Sequence, residues 1–564
     1  MLASVIRNPA AQHTAPLAAL APDPDLYSSP SVQPRTKDQP VSSQQHFDLI
    51  VIGGGPAGYV GAIRAAQLGM SVACVERAKL GGVCLNWGCI PSKSLLANAE
   101  LVEKMSKAED QKFWGLKISG EVGLDWDRII GRSRDVASKL NNGIGFLFKK
   151  NKVTHFVGNA KIVAAAAPGG GTCRVEVQEC AVKEELTSAP ATPGKTTQTI
   201  TADNVLIATG SVARDLPFAR FDGDRIWGAR EAMFNKEKPK RLVVVGAGAI
   251  GMEFAYFYHS MGTEVTVVEM LDRILPVEDQ EVSKVLERLY TKHGMKILTS
   301  TTTTAVEKFA GGGGGGGVKV TVAPFVGGKA DDARKQVLEA DRVLLAIGVK
   351  GRTDGLCDPA LGLKVEKDHI VTDYRPGLTK DEPVDYKTNL PGLYAVGDVI
   401  GPPWLAHVAS EEAIICVERI AWRKKNPKQH HEPIPINYTV IPGCTYCIPQ
   451  VASVGFTEQK LIADGLVKGK DYEVGKYGFG SHGKAIAAAH TDGFVKIIRG
   501  LPRGEILGAH IIGDQATELI AELTLARRLE ATTEELICTV HAHPTMHEAV
   551  HEAALASEGR CIHA

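Results

Sequence analysis

One supersecondary unit occurs twice in this 564-residue chain. In "FDLIVIGGGPAGYVGAIRAAQLG" a short apolar strand runs into a glycine turn and an Ala-rich helix, and "SVACVE" adds a second strand ending on Glu76. "RLVVVGAGAIGMEFAYFYHSMG" and "EVTVVE" repeat that order and end on Glu269. The spacing from first glycine to acid is the same in both, 76 − 53 = 23 and 269 − 246 = 23. Gly53, Gly55 and Gly58 form G-x-G-x-x-G between strand and helix, and so do Gly246, Gly248 and Gly251. The first glycine makes a tight turn, the second lets backbone approach a pyrophosphate at the helix N-terminus, and the third lets helix and strand pack closely. The acid after the next strand suits a ribose diol. Two such units imply two dinucleotides, and the carboxylate of Glu269, which repels a 2′-phosphate, predicts NAD over NADP in the second. A duplicated glycine turn with a purely structural role is the plainer alternative.

Strands, helices and glycine turns in this order predict an α/β chain with two Rossmann-like units, and the length exceeds what one core can fill. "VLIATGS" and "VLLAIG", closed by Gly210 and Gly348, read as strands that end each nucleotide-binding domain. "TNLPGLYAVGD" places Asp398 after a further strand, and from about Pro433 a separate α+β domain follows. The expected boundaries are 1–45, 46–212, 213–349, 350–432 and 433–564. "AAAAPGGG" and the run Gly311 to Gly317 read as solvated loop insertions.

Composition removes several function classes. Basic and acidic residues balance at 64 each, so nothing favours a nucleic-acid partner. Eleven cysteines are too few for a secreted disulfide scaffold, and no run of about 20 apolar residues offers a membrane span. A soluble protein of a reducing compartment fits these counts. The first 45 residues have no acid before Asp23, include Arg7 and turn Pro/Ser/Gln-rich. They read as an organelle-targeting peptide, mitochondrial before plastid, with a disordered tail as the alternative.

"LGGVCLNWGCIPSK" carries Cys84 and Cys89. In a regular helix residues five apart have Cα atoms about 8.6 Å from each other, beyond the roughly 4.4–6.8 Å a disulfide spans. Pairing therefore requires a break, for which Gly88 provides the freedom, and Pro91 is placed to open a helix just after Cys89. Positive helix-end charge would then favour a Cys89 thiolate. Three readings stay open on the residues alone: a reversible redox pair, a metal site, or inert thiols. A zinc site would want a second close pair of ligands, and Cys444 with Cys447 lies in another domain.

Together, "GGVCLNWGCIPSK", the two glycine fingerprints, "LYAVGD" and "HAHPTMHE" resemble the flavoprotein disulfide reductases, within them the dihydrolipoamide dehydrogenase family, from Phe47 to about Glu558. The resemblance implies FAD in the first unit and NAD in the second. It implies that Asp398 touches the flavin's ribityl chain, with Ala406 among the cofactor contacts, and that Lys93 lies near the flavin and pairs with Glu253. By the same resemblance Cys84 exchanges with dihydrolipoamide, Cys89 faces the flavin in charge-transfer contact, and electrons pass from dithiol to disulfide to FAD to NAD⁺. His543 and Glu548 become the base and its orienting carboxylate, reaching the disulfide of the other subunit of a homodimer. Moving a proton from a thiol to a free imidazole costs about 2.7 kcal/mol, which a carboxylate partner offsets. The implied partners are lipoyl domains or the glycine-cleavage H-protein, and the E2 core or E3-binding subunit of 2-oxoacid dehydrogenase complexes.

Rival readings are weighed on the same residues. A glutathione-type reductase would want NADPH, against Glu269. A flavin-binding redox sensor would not need the His543–Glu548 relay. His547, Glu548 and His551 match the zinc pattern H-E-x-x-H without an obvious third ligand, and no metal is expected. His541 is expected to be a neighbour of the base. Cys561 is single, so it forms no adjacent C-terminal redox pair. Val83, Trp87, Met546 and His547 read as variable fillers around the motif residues, and nothing in the sequence explains the tryptophan.

Overall fold

The computed structural model describes residues 45–106, 114–115, 117, 120, 123–180, 193–310, 316–379, 382–424 and 432–563. The expected targeting peptide and most of the glycine run lie outside them.

The first unit opens with β1 (His46–Ile52), α1 (Pro56–Gln67) and β2 (Val72–Glu76), then α2 (Gly82–Trp87), α3 (Cys89–Ser106) and the helix Trp126–Lys150. Its sheet runs β3 (Thr154–Val157), β2, β1, β6 (Pro193–Ile207), β5 (Cys173–Cys180), β4 (Asn159–Ala164), with Leu393–Ala395 pairing β6. Pairing is parallel from β3 to β6 and antiparallel through β5 and β4. The core strands read as unbroken apolar runs because both faces are covered: Leu49, Ile50, Val51 and Leu206 are fully buried.

The second unit is a parallel sheet in the order Lys296–Leu298, Glu264–Val268, Arg241–Val245, Arg342–Leu345, Ile226–Trp227. Ser211–Ala213 and Val349–Gly351 pair antiparallel, so the chain leaves the first unit and returns to it side by side. Gly317, expected in a loop, is the first residue of the strand Gly317–Val326, and a side chain there would meet the Ala340 carbonyl. Likewise Ala164 still belongs to β4. The C-terminal part is a five-stranded antiparallel sheet between Gly443 and Gly513, covered by helices Ala516–Arg528 and Glu548–Ala556.

A buried ion cluster ties that sheet to the second unit. Lys496 Nζ, 1% exposed, lies 3.1 Å from both Asp279 carboxylate oxygens and 2.7 Å from Glu458 Oε2. Burial alone would raise the Asp279 carboxyl, yet His510 and Lys496 hold it below its ordinary value. Removing the cation leaves a carboxylate stranded in the core. Lys496→Met is therefore expected to lower stability by about 3–5 kcal/mol, read from the shift of the chemical denaturation midpoint.

Candidate active site

The first glycine turn is set by steric limits. Gly53 has φ +101°, and a Cβ on it would lie 2.3 Å from the Ala208 carbonyl oxygen. A Cβ on Gly58 would lie 1.8 Å from the Gly53 carbonyl oxygen, so only glycine lets α1 sit on the turn. Gly55, at the N-cap of α1, faces nothing nearer than Gly82 Cα at 3.7 Å. Space therefore remains in front of the helix N-terminus, where amide groups attract a phosphate. Glu76 accepts the amides of Gly54 at 2.6 Å and Ala78 at 2.7 Å. Lone pairs remain on it for a diol.

An open cleft runs from this turn. Gly53, Gly55, Glu76, Gly210, Asp398 and Ala406 line it, and so do Cys84 and Cys89. Gly58 packs behind it. Asp398 accepts from Ser211 Oγ at 2.6 Å, and burial raises its carboxyl.

The cysteines sit across a helix break. Cys84 lies in α2, Gly88 caps it with φ −144° and ψ −119°, and Cys89 is the first residue of α3. That helix starts before Pro91, so Cys89 occupies the positive end itself. Both are free thiols in the wall of the same cleft. They are not equivalent. The neighbouring Cys89, followed by burial, pushes Cys84 far above the thiol range. The neighbouring Cys84 moves Cys89 below that range, with Lys93 assisting and desolvation opposing. Of the two, Cys89 is the more readily ionised. Lys93, one turn on, reaches Glu253 at 3.0 and 3.1 Å and lies 4.1 Å from the Tyr446 ring centroid.

Glu253 belongs to the helix that follows the second glycine turn, which copies the first. Gly246 has φ +98°, a Cβ on Gly251 would be 1.9 Å from the Gly246 carbonyl oxygen, and Gly248 faces open space. Glu269 accepts from the Ala247 and Leu271 amides, as Glu76 does from Gly54 and Ala78. Gly348, at φ +105°, follows the strand Arg342–Leu345.

In the C-terminal part His543 Nδ1 lies 2.8 Å from Glu548 Oε1, and Thr545 N donates to Oε2 at 2.9 Å. Burial works against the Glu548 charge, but those two bonds keep its carboxyl below the ordinary range. The His543 side chain is 81% exposed. It does not line the cleft.

Comparison with known proteins places this geometry. Residues 47–413 match the pyridine nucleotide-disulphide oxidoreductase model, and residues 441–554 match the dimerisation domain of the same proteins. The chain belongs to this family. A Rhizobium etli protein named dihydrolipoyl dehydrogenase is 43% identical over 526 residues, 92% of this chain and all of that protein. Proteins of the same name from Zymomonas mobilis and Bacillus subtilis are 40% and 37% identical, each over 92% of this chain and 99% of their own length. The crystal structure of LpdA from Mycobacterium tuberculosis shares the fold, with a TM-score of 0.74 at 23% identity over 90% of this chain and 99% of that one.

As a pyridine nucleotide-disulphide oxidoreductase the chain uses FAD and NAD, and its residues fit them. The first turn and cleft offer a pyrophosphate cradle, a diol acceptor and two neighbouring cysteines in one lining. The second turn repeats the cradle with a buried carboxylate, Glu269.

Several contacts at this site have no local sequence signal. Trp87, 6% exposed, lines the cleft with the Arg230 guanidinium 4.2 Å from its ring centroid. Glu522 bridges His541 Nε2 and His547 Nδ1, both at 2.7 Å. His551 Nε2 lies 3.1 Å from the Ile537 carbonyl. The H-E-x-x-H residues are thus engaged separately, and among the described residues no group of three or more could hold a metal. Burial raises Cys444 to about 11 and Cys447 to about 12, which favours the protonated thiol in both at neutral pH.

Removing Cys84 should make Cys89 harder to ionise. In dithiol-reduced Cys84→Ala protein, the pH profile of Cys89 alkylation is expected to move upward relative to wild type, with mass mapping as the readout.

Proposed function

We propose that this chain oxidises protein-bound dihydrolipoamide to lipoamide and reduces NAD⁺ to NADH, working as a homodimer. The observation that carries the reading is that Cys84 and Cys89 stand, either side of a helix break, in the wall of the cleft that also holds Gly55 and Asp398. FAD, when bound there, supplies the two-electron relay between the cysteine couple and nicotinamide.

In the oxidised pair a substrate thiolate attacks Cys84 Sγ, the Cys84–Cys89 bond breaks, and Cys89 leaves with the electron pair. A thiol that ionises easily leaves faster, and Cys89 is the one held below its ordinary range. The second substrate thiolate displaces Cys84, closing lipoamide and leaving both cysteines reduced. Each substrate thiol must first lose its proton. With Nδ1 committed to Glu548, His543 keeps Nε2 as the acceptor, and Glu548 stabilises the imidazolium that forms. An imidazole this exposed on its own subunit suits a base that serves the partner subunit's cysteine pair.

The boundaries 46–212, 213–349, 350–432 and 433–564 follow from this reading as the two parts of the FAD domain, the NAD domain between them, and the dimer interface. The antiparallel ribbon at 211–213 and 349–351 supports the two inner crossings. Lipoyl domains of 2-oxoacid dehydrogenase complexes or the glycine-cleavage H-protein would deliver substrate, with docking through the lipoyl-bearing core or its binding subunit. The acid-poor first 45 residues would direct the chain to an organelle, mitochondrial before plastid. Imaging a fusion of that segment to a fluorescent protein tests this.

His543→Gln is expected to lower dihydrolipoamide turnover by about 10²–10⁴-fold while FAD absorbance stays at one per subunit. Unchanged turnover would rule out the base. Glu269 predicts a preference for NADH over NADPH of more than about a hundredfold, since a 2′-phosphate would face a buried like charge. Comparative kcat/KM values decide it.

A further inference from the structure

Beneath the cleft lies a carboxylate that faces no cation among the described residues. Glu412, 2% exposed, sits in the helix Ala406–Lys424, whose first turns supply Ala406 and Ala409 to the cleft lining. Its Oε2 accepts the Gly397 amide at 2.6 Å, and its Oε1 accepts the Tyr438 hydroxyl at 2.7 Å. Tyr438 is joined in turn to the Tyr386 hydroxyl at 2.9 Å, and its ring packs 4.8 Å from that of Tyr374. Among the described residues the titratable groups facing Glu412 are Tyr438, Tyr386, Tyr374, Cys416 and Asp398, none of them a cation. Burial pushes the Glu412 carboxyl up to about 7.

Burying a carboxylate without a counter-ion costs several kcal/mol, and a glutamine or leucine would fill the same space more cheaply. What the carboxylate does here is hold backbone. Gly397, with φ +75°, is the residue before Asp398, and a side chain on it would press on Ala409 and Ala57. The turn Gly397–Ile400 is thus packed against the helix on one side and bonded to it through Glu412. Ser211 fixes the Asp398 carboxylate itself.

We propose that Glu412 is a positioning residue for the flavin: its carboxylate, steadied by Tyr438, fixes the Gly397–Asp398 turn and so the point at which Asp398 meets the FAD ribityl chain. This rests on the assignment of the cleft to FAD. Ionised Glu412 makes a charge-assisted bond to the Gly397 amide; a protonated one makes a bond about half as strong. FAD is therefore held more tightly above pH 7 than below it.

The test is FAD titration of apoprotein by flavin fluorescence, with circular dichroism as the folding control. Glu412→Ala is expected to raise the FAD Kd at least about tenfold. Glu412→Gln should restore Kd to within about threefold of wild type, because its carbonyl still accepts from Gly397 and its amide still reaches the Tyr438 hydroxyl. Tyr438→Phe should weaken binding by a smaller factor. In wild type, FAD release should accelerate as pH falls through about 7, an inflection that Glu412→Gln lacks. Should Glu412→Ala fail to fold, Tyr438→Phe and the pH comparison decide. Wild-type Kd in both Glu412→Ala and Tyr438→Phe, or an inflection retained in Glu412→Gln, would overturn the positioning role. Wild-type protein that takes up no FAD would instead overturn the cleft assignment, and the proposal with it.

Discussion

The close seating of a helix on a glycine carbonyl underlies everything else at the site. At Gly58 a single methyl would approach the Gly53 carbonyl oxygen to 1.8 Å, and at Gly251 the corresponding gap to Gly246 is 1.9 Å. No rotamer relieves such a contact, because both partners are backbone or Cβ. With glycine in place the helix N-terminus stays at the turn, and its amides point into space that a phosphate can fill. The acids Glu76 and Glu269 brace the same turns from the neighbouring strand, each accepting the amide just after the first glycine. Turn, helix and acid form one rigid piece, built twice.

Rigidity there passes to the two cysteines. Glu253 stands two residues beyond Gly251, so the second turn fixes where its carboxylate lies. Lys93, one turn beyond Cys89, binds that carboxylate, and Tyr446 contributes its ring to the ammonium and its amide to Glu253. Segments around residues 93, 253 and 446 therefore converge on one ion pair beside the cysteines. The Lys496 cluster then holds the C-terminal sheet against the second unit. The unequal proton affinities of Cys84 and Cys89 depend on this frame, since each thiol's place beside the other and beside Lys93 differentiates two otherwise identical groups.

Carboxylates do more of the positioning than the motifs suggest. Glu548 orients His543, Glu522 holds the histidines on either side of it, and Glu412 holds the turn before Asp398. Each accepts two donors through its two oxygens. A fork of this kind fixes two groups relative to each other.

By itself the sequence determined the two nucleotide units, their acids, the need for a break between Cys84 and Cys89, and the helix end at Cys89. Those features follow from steric and hydrogen-bonding rules acting within about 25 residues, so their spacing is a direct record of the geometry. Tertiary structure alone decided that Arg230 covers Trp87, that Glu522 bridges His541 and His547, that Gly317 opens a strand, and that Glu412 lies under the cleft. These contacts reach as far as the 143 positions from Trp87 to Arg230, or depend on which face of a helix is buried. Such choices are made when sheets and helices pack together, and nothing in a local stretch of sequence records which distant side chain will arrive.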